Sequence, residues 1–504
     1  MSLHFGGIIV KLNKKQLKVL FVSAEVDPFA KTGGLADVAG SLPKELSLLG
    51  HDVRVVMPRY GVIDVDTKYV ADVPVEIGHR VETCVIKEGS IFNAENKAIP
   101  VYFIENHNYF NRKGIYCYFD DAQRFILLCK TALDMLPAIG YKPDIIHCND
   151  WHTGPICLLL NEKYKRNEFY KDIATIYTVH NLEYQGNFGA DITRYLNLEE
   201  GYFVSDKAEF YGMFSFMKCG LVYADIINTV SKQYADEILT TAYGEKMEGI
   251  LNKRKDKLFG IVNGISYDEF DPSKDECLYA KYDKKNIKLK KKNKQALQDE
   301  LNLPRSQAPL MGIVTRLTGQ KGLELLIGCI DDLIIKENVQ LIVLGLGDEC
   351  YHNAFSELQK KYPLNVAAFF EFNTDLAKKI YAASDMFLMP SRFEPCGLGQ
   401  IISLRYGTIP VVRATGGLAE TIIDYDGNNI DGNGFSFDEF SVSEFNKTLK
   451  RAIDVYKNKP EIWEKLILRA LDSDFSWKNP SKAYLKLYEL AVKTKIKGEL
   501  FANE

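Results

Sequence analysis

Nearly the same hexapeptide occurs twice in this chain, Thr32-Gly33-Gly34-Leu35-Ala36-Asp37 near the start and Thr415-Gly416-Gly417-Leu418-Ala419-Glu420 far downstream. Each follows a strand-like apolar run directly. Paired glycines let backbone N–H groups approach an anion closely, and a helix opening there adds the positive end of its dipole. Two such turns call for two lobes, and Lys31 sets a cation beside the first. The expected ligand is a phosphorylated or nucleotide-linked substrate held between the lobes.

At 504 residues the chain exceeds a single core, and its apolar share of 46% is that of a globular protein. A formal charge of −4, with Lys and Arg spread throughout, argues against a nucleic-acid partner. The run Lys281, Lys284, Lys285, Lys288, Lys290, Lys291, Lys292 and Lys294 reads as a solvated helix face. Ten cysteines without a CxxC pair favour a reducing compartment, with the cytoplasm as the default. No apolar stretch approaches the roughly 20 residues that cross a bilayer, so no membrane association is expected. Residues 1–17 form a short, mildly basic extension whose origin the sequence leaves open.

Apolar β-rich runs alternate with helix-length amphipathic segments. The strands expected in the first half are Lys18–Val26, Asp52–Met57, Asp144–Cys148, Ile173–Val179 and Asp225–Val230. Continuous Val/Ile runs without polar alternation mean strands buried on both faces, as a parallel sheet flanked by helices requires. The rhythm breaks from Ile261 to Lys294 and resumes with Leu310–Thr315, Val339–Leu344, Asn365–Phe370, Met386–Met389 and Ile409–Val412. The expected fold class is α/β, with two doubly wound domains. Ligands of open α/β sheets bind outside the carboxyl ends of the strands, where the loops starting at Lys31, Asn149, His180, Arg316, Arg392 and Thr415 all fall.

Neither nucleotide fingerprint is present. In Gly345-Leu346-Gly347-Asp348 the third glycine position is taken by Cys350, and no GxxxxGK[ST] occurs, so hydride transfer and P-loop hydrolysis are excluded. The cluster His147-Cys148-Asn149-Asp150-Trp151-His152 lacks the spacings that aim two ligands at one metal ion. Asp150, Trp151 and His152 suit a sugar instead, the aromatic face meeting C–H groups and the polar side chains bonding hydroxyls. His180, ending a strand, is placed to bond a hydroxyl or move a proton. Arg316 and Lys321 straddle a glycine turn and could clamp a diphosphate. Glu394 sits at a loop-to-helix junction and suits sugar hydroxyls.

Together these stretches strongly resemble the bacterial glycogen synthase and starch synthase family, glycosyltransferase family 5, over residues 17 to 495. The carriers are Lys31 to Val38, Asn149-Asp150-Trp151-His152, Thr178 to Leu182 with Tyr184-Gln185-Gly186, Val262-Asn263-Gly264-Ile265, Arg316 to Gly322, Ser391 to Leu398, and Thr415 to Leu418. The resemblance implies a GT-B fold, two Rossmann-like domains facing a central cleft, with domains at 18–260 and 261–475 and a C-terminal segment 476–504 whose helix crosses back onto the first. It implies a retaining transferase moving glucose from ADP-glucose, less readily UDP-glucose, to the 4-hydroxyl at the non-reducing end of an α-1,4-glucan such as glycogen, starch or a maltooligosaccharide.

By the same resemblance, Lys31, Asp150, His180, Arg316, Lys321 and Glu394 carry catalysis. The nucleotide sugar is held by Lys31, Gly33, Gly34, Asn263, Arg316, Lys321, Phe372, Glu394, Cys396, Gly397, Leu398, Thr415, Gly416 and Gly417. Phe372 stands where relatives often stack a tyrosine on the base. Asp37, Asp150, Trp151, His152, Tyr184 and Gln185 face the glucan. No cofactor or metal is implied, because cations at the phosphate supply leaving-group help. Two departures stand out: Ile402 occupies a position eight residues after Glu394 where many other retaining two-Rossmann transferases carry a second carboxylate, and Thr315 replaces a frequent serine. The rivals are a catalytically silent glucan binder, disfavoured by the three retained cations, and a glucan phosphorylase, which needs a pyridoxal-bearing lysine and a longer chain.

Overall fold

Short runs dominated by buried apolar residues build the centre of two sheets. The structure, a computed structural model, describes residues 16–198, 201–429 and 431–502; the extension at 1–17 lies outside them but for its last two residues. The chain divides into two units, Met1–Val230, Ala235–Gly264 and Trp477–Glu504 in the first, Ser231–Tyr234 and Ile265–Ser476 in the second.

The first unit holds strands β1 (Lys18–Val22), β2 (Asp52–Pro58), β3 (Lys68–Ile77), β4 (Arg80–Phe92), β5 (Ala98–Glu105), β6 (Ile145–Asn149), β7 (Ala174–Val179), β8 (Asn187–Phe188), β9 (Glu209–Phe210), β10 (Met213–Ser215), β11 (Ile226–Thr229) and β12 (Leu258–Gly260). Nine of them form one sheet in the order β12-β11-β7-β6-β1-β2-β5-β4-β3, and β8-β10-β9 form a small antiparallel one. From β12 to β5 every pairing is parallel. Every residue of β6 and β7 is buried, as strands covered by helices on both faces must be. The antiparallel hairpin β3–β4 at the edge is an addition to the expected strands. Its signal is different in kind: Val73, Val75 and Ile77 are buried and alternate with exposed Asp72, Pro74 and Glu76, the period of a half-covered strand.

The second unit holds β13 (Leu310–Val314), β14 (Gln340–Leu344), β15 (Val366–Phe369), β16 (Met386–Met389), β17 (Ile409–Arg413) and β18 (Phe435–Phe437), all parallel, in the order β15-β14-β13-β16-β17-β18. The winding reverses beside β13, and in the first unit beside β1. Crevices open at the carboxyl ends of such reversals, and the candidate residues follow β1, β6, β7, β13, β16 and β17.

The last helix, Lys478–Ala502, belongs to the first unit. Tyr488 is fully buried and its hydroxyl lies 2.9 Å from His147 Nδ1. The Tyr484 hydroxyl accepts from Asn228 Nδ2 at 3.1 Å. His147 Nε2 meets Thr178 Oγ1 at 2.8 Å, while Cys148 turns to the opposite face beside Cys157.

The basic run is only partly the solvated face expected of it. Lys290 and Lys294, one turn apart on the helix Lys290–Glu300, are each 7% exposed. Lys290 donates to Ala382 O and Thr408 Oγ1, both at 2.7 Å, and burial pushes its ammonium pKa down to about 7. Lys294 pairs with Asp385 at 2.6 Å, whereas Lys288, Lys291 and Lys292 stay exposed. The spacing of four aims two lysines of the run inward.

Lys294→Met is expected to destabilise the second unit by about 3 kcal/mol, since Asp385 stays buried and loses its cation. Lys291→Met should stay within about 0.5 kcal/mol of the parent, with urea denaturation reading both. A second expectation concerns acid. Burial, then the neighbouring His180, lowers the His147 pKa to about 3, so between about 6.5 and 3 the unfolded chain binds a proton that the folded chain does not. Stability therefore falls as pH drops through that window, and His147→Gln should flatten the fall by about 1.4 kcal/mol per pH unit.

Candidate active site

In the first unit, the loop after β1 returns through Lys31 to the helix Gly34–Leu48. Gly33 has extended backbone, and a Cβ there would meet nothing within 4 Å, so this face is open to an approaching group. Two amides of the turn are already engaged. Glu25, 3% exposed, accepts from the Thr32 and Gly33 amides, from Thr32 Oγ1 at 2.7 Å and from the Tyr116 hydroxyl. An internal carboxylate thus takes part of the anion grip that the glycine pair led us to expect for the ligand. Lys31 bonds Asp37 of the first helical turn and lies 3.8 Å from Asp27.

The loops after β6 and β7 converge. Asp150 holds φ +55° and ψ −178°, a conformation rare for a residue with a side chain, and such strain concentrates at functional positions. Its Oδ1 accepts from the His180 amide at 2.7 Å. Burial pushes the Asp150 carboxyl up to about 7, against the pull of the His180 and Asn181 amides. Burial alone holds His180 down at about 3. The Asn149 amide nitrogen donates to Val22 O at 3.0 Å, so its Oδ1 accepts, 3.0 Å from His180 Nε2. This assigns the neutral tautomer with its proton on Nε2 and Nδ1 as the basic nitrogen. A carboxyl poised near neutrality and a neutral imidazole stand together at the strand ends.

The remaining residues of this loop group are placed differently from one another. Trp151 is half-buried, packed against Phe125 and Phe188. His152 turns inward, 4% exposed and stacked on Tyr116 at 4.8 Å, so its ring packs among aromatics instead of standing at the mouth of the strand. Burial holds its imidazole well below the ordinary value. Tyr184 is 48% exposed, and Gln185 Nε2 donates to Glu245 O at 2.9 Å. Asn263 is buried, its Oδ1 without a partner among the described residues.

In the second unit, loops after β13 and β16 are locked together. Gly322 has φ +64°, and a Cβ there would lie 2.0 Å from Pro390 O, so only glycine allows the approach. The Arg392 amide donates to Gln320 O at 2.8 Å. Lys321 Nζ thereby reaches Glu394 Oε2 at 2.7 Å, where Ser391 Oγ also donates at 3.0 Å. Both members of this pair are largely shielded, at 14% and 7% side-chain exposure. Arg316 is exposed and leans on Gln320 Oε1 at 3.3 Å.

The second glycine pair has another purpose. A Cβ on Gly416, which has φ +46°, would lie 1.9 Å from Glu394 O, and one on Gly417 would lie 2.1 Å from Cys396 O. The Gly417 amide donates to Glu394 O at 3.1 Å. The pair lets the turn after β17 seat the Glu394 loop. Thr415 and Cys396 are buried there, Gly397 has φ +73°, and Leu398 is half-buried. Phe372, beyond β15, is 73% exposed. Among the described residues no group of three or more His, Cys, Asp or Glu side chains could hold a metal ion.

Glu25, Tyr116 and Asn149 are site-building residues that the motifs did not single out for a role. For Glu25 a signal existed, a lone carboxylate inside the apolar run Lys18–Val26; Tyr116 had none, because only tertiary packing brings it to Glu25.

Residues 18–253 match the family described as starch synthase catalytic domain, and residues 294–465 match glycosyl transferases group 1. Glycogen synthase of Desulforudis audaxviator is 49% identical over 487 residues, 95% of this chain and 97% of that one. Glycogen synthase of Moorella thermoacetica is 50% identical over 478 residues, with 95% and 97% covered. Among solved structures, the catalytic domain of starch synthase IV from Arabidopsis thaliana, bound to ADP and acarbose, matches with a TM-score of 0.89 at 32% identity, covering 95% of this chain and 100% of that one. Sucrose-phosphate synthase of Thermosynechococcus elongatus, at 18% identity, a TM-score of 0.57 and coverage of 97% and 100%, shares the fold alone. With that much identity along nearly its whole length, the chain belongs to the glycogen synthase and starch synthase family and is a glucosyltransferase of glycogen or starch synthesis.

Proposed function

We propose that this enzyme transfers glucose from ADP-glucose to the 4-hydroxyl at the non-reducing end of an α-1,4-glucan, with retention and without a metal. The observation that carries the reading is the shielded Lys321–Glu394 pair at the winding reversal of the second unit. It sets a cation for a leaving phosphate directly beside a carboxylate for sugar hydroxyls. That a relative of known structure was bound to ADP and acarbose supports an adenine nucleotide and a glucan-like acceptor.

In this reading Arg316 and Lys321 take the diphosphate, Phe372 stacks on the base, and Glu394 bonds the transferred glucose. Lys31 remains assigned to the donor phosphates by the family resemblance. As the glycosyl–oxygen bond breaks, negative charge grows on the phosphate, and fixed cations stabilise it without reorganising. Asp150 and His180 face the glucose. The acceptor hydroxyl attacks from the side that the phosphate leaves, its oxygen bonding the anomeric carbon while its proton passes to the departing phosphate oxygen. Retention then needs no covalent glucosyl-enzyme. The protein acts in the cytoplasm on this reading.

Two measurements check it. Purified protein given glycogen and ADP-[14C]glucose in EDTA should place label in precipitated polymer, with far less from UDP-[14C]glucose; label from neither donor overturns the reading, and a trapped glucosyl-enzyme adduct overturns the route to retention. The pH–rate profile should carry a limb centred at about 7, where the Asp150 carboxyl ionises, the rate rising as the carboxylate forms. Asp150→Asn is expected to abolish that limb and lower kcat by at least about 100-fold.

A further inference from the structure

The Gly345-Leu346-Gly347-Asp348 turn after β14 matches no nucleotide fingerprint, yet its glycines are required by geometry. A Cβ on Gly345 would lie 1.8 Å from Thr315 O, and one on Gly347 would lie 2.1 Å from Leu317 O. Only glycine lets this turn run against the segment 315–317. The Leu317 amide donates to Leu346 O and the Asp348 amide donates to Leu317 O, both at 2.8 Å. Arg316 lies in the middle of the segment held in this way, so the turn after β14 braces the backbone that carries this cation.

Glycines do not hold such a turn by themselves, because their backbone is the freest of any residue, and Leu346 and Gly347 are exposed. The pin comes from the helix that follows, Glu349–Lys361. The Gly347 amide donates to His352 Nε2 at 3.1 Å, which makes Nε2 the unprotonated nitrogen of that ring. The same ring stacks on Phe370, with centroids 4.6 Å apart and planes inclined by 29°. Phe370 follows β15, and two residues further on stands the exposed ring of Phe372. Asn373 then caps the next helix, its Oδ1 accepting from the Leu376 amide at 2.9 Å. Phe372 therefore sits on a short span of chain fastened at Phe370 by the His352 ring and at Asn373 by the cap. A histidine that only finished its own helix would need the amide bond, and would gain nothing there from a ring laid on the loop of another strand.

We infer that His352 is a positioning residue for the nucleotide donor, one imidazole fixing both the turn that braces Arg316 and the loop that presents Phe372. The inference rests on the assignment of those two residues to the diphosphate and the base in the proposed function. It makes the spacing between cation and stacking ring depend on His352. Losing the imidazole then loosens the hold on the nucleotide and leaves Glu394, on a different loop, in place for the transferred glucose.

The test titrates ADP calorimetrically into full-length parent, His352→Gln and His352→Leu proteins, and measures KM and kcat for ADP-glucose by label transfer to glycogen. Glutamine keeps an acceptor and leucine keeps only bulk. His352→Leu should bind ADP about fivefold more weakly and raise KM about as much, with kcat within about twofold of the parent. His352→Gln should stay within about twofold of the parent in all three. An ADP affinity of His352→Leu equal to the parent's, a loss confined to kcat, or a His352→Gln no better than His352→Leu overturns the positioning role. Phe372→Ala, titrated alongside, judges the donor assignment separately. If it binds ADP as the parent does, or if the parent binds none, that assignment falls and takes the inference with it; a weakened Phe372→Ala beside an unchanged His352→Leu sinks the inference alone.

Discussion

Burial of both faces of the parallel strands governs everything else in this protein. A strand such as β6 or β7, buried at every position, leaves little room for an ionised group along its length. Chemistry is displaced to the strand ends, where loops supply backbone amides and access to solvent. The winding reversals at β1 and β13 open those ends most widely, and the loops leaving β1, β6, β13 and β16 carry Lys31, Asp150, Lys321 and Glu394.

Three carboxylates lie at these ends in three electrostatic settings, and the settings separate their capabilities. Glu394 has a lysine and a serine on one oxygen, which fixes its orientation. Glu25 has two amides, a threonine and a tyrosine, enough acceptor work to make it a structural anchor for the first glycine turn. Asp150 has amides and no cation, so burial dominates and its proton is lost only near neutrality.

The fold class was legible because its central strands are short runs dominated by buried apolar residues, as in Leu310–Val314 and Gln340–Leu344. A search for such runs passes over β3 and β4, whose alternating pattern belongs to a sheet covered on one face. Lys290 and Lys294 show a related limit: composition marks a basic segment as solvated, yet a period of four on a helix turns one edge of it into the core, where Asp385 and backbone carbonyls receive it. The candidate residues could be located through strand-end loops, but their partners could not. Tyr116 reaches Glu25 across 91 positions of sequence, a contact that no local pattern announces.

The repeated hexapeptide shows how far local sequence carries. In both copies paired glycines stand at the start of a helix, yet the backbone differs between them, Gly33 being extended at φ −164° and Gly416 left-handed at φ +46°. The use of each turn is decided by its neighbours. At Gly33 the space where a Cβ would stand is empty and faces outward, while the adjoining amides are taken by Glu25. At Gly416 and Gly417 the same space is filled by the backbone of Glu394 and Cys396. The first pair leaves a surface open to a ligand, and the second lets one loop seat another that carries a carboxylate. Substituting alanine at either position would therefore injure different things, access at the first copy and the placement of Glu394 at the second, even though the two segments read almost alike.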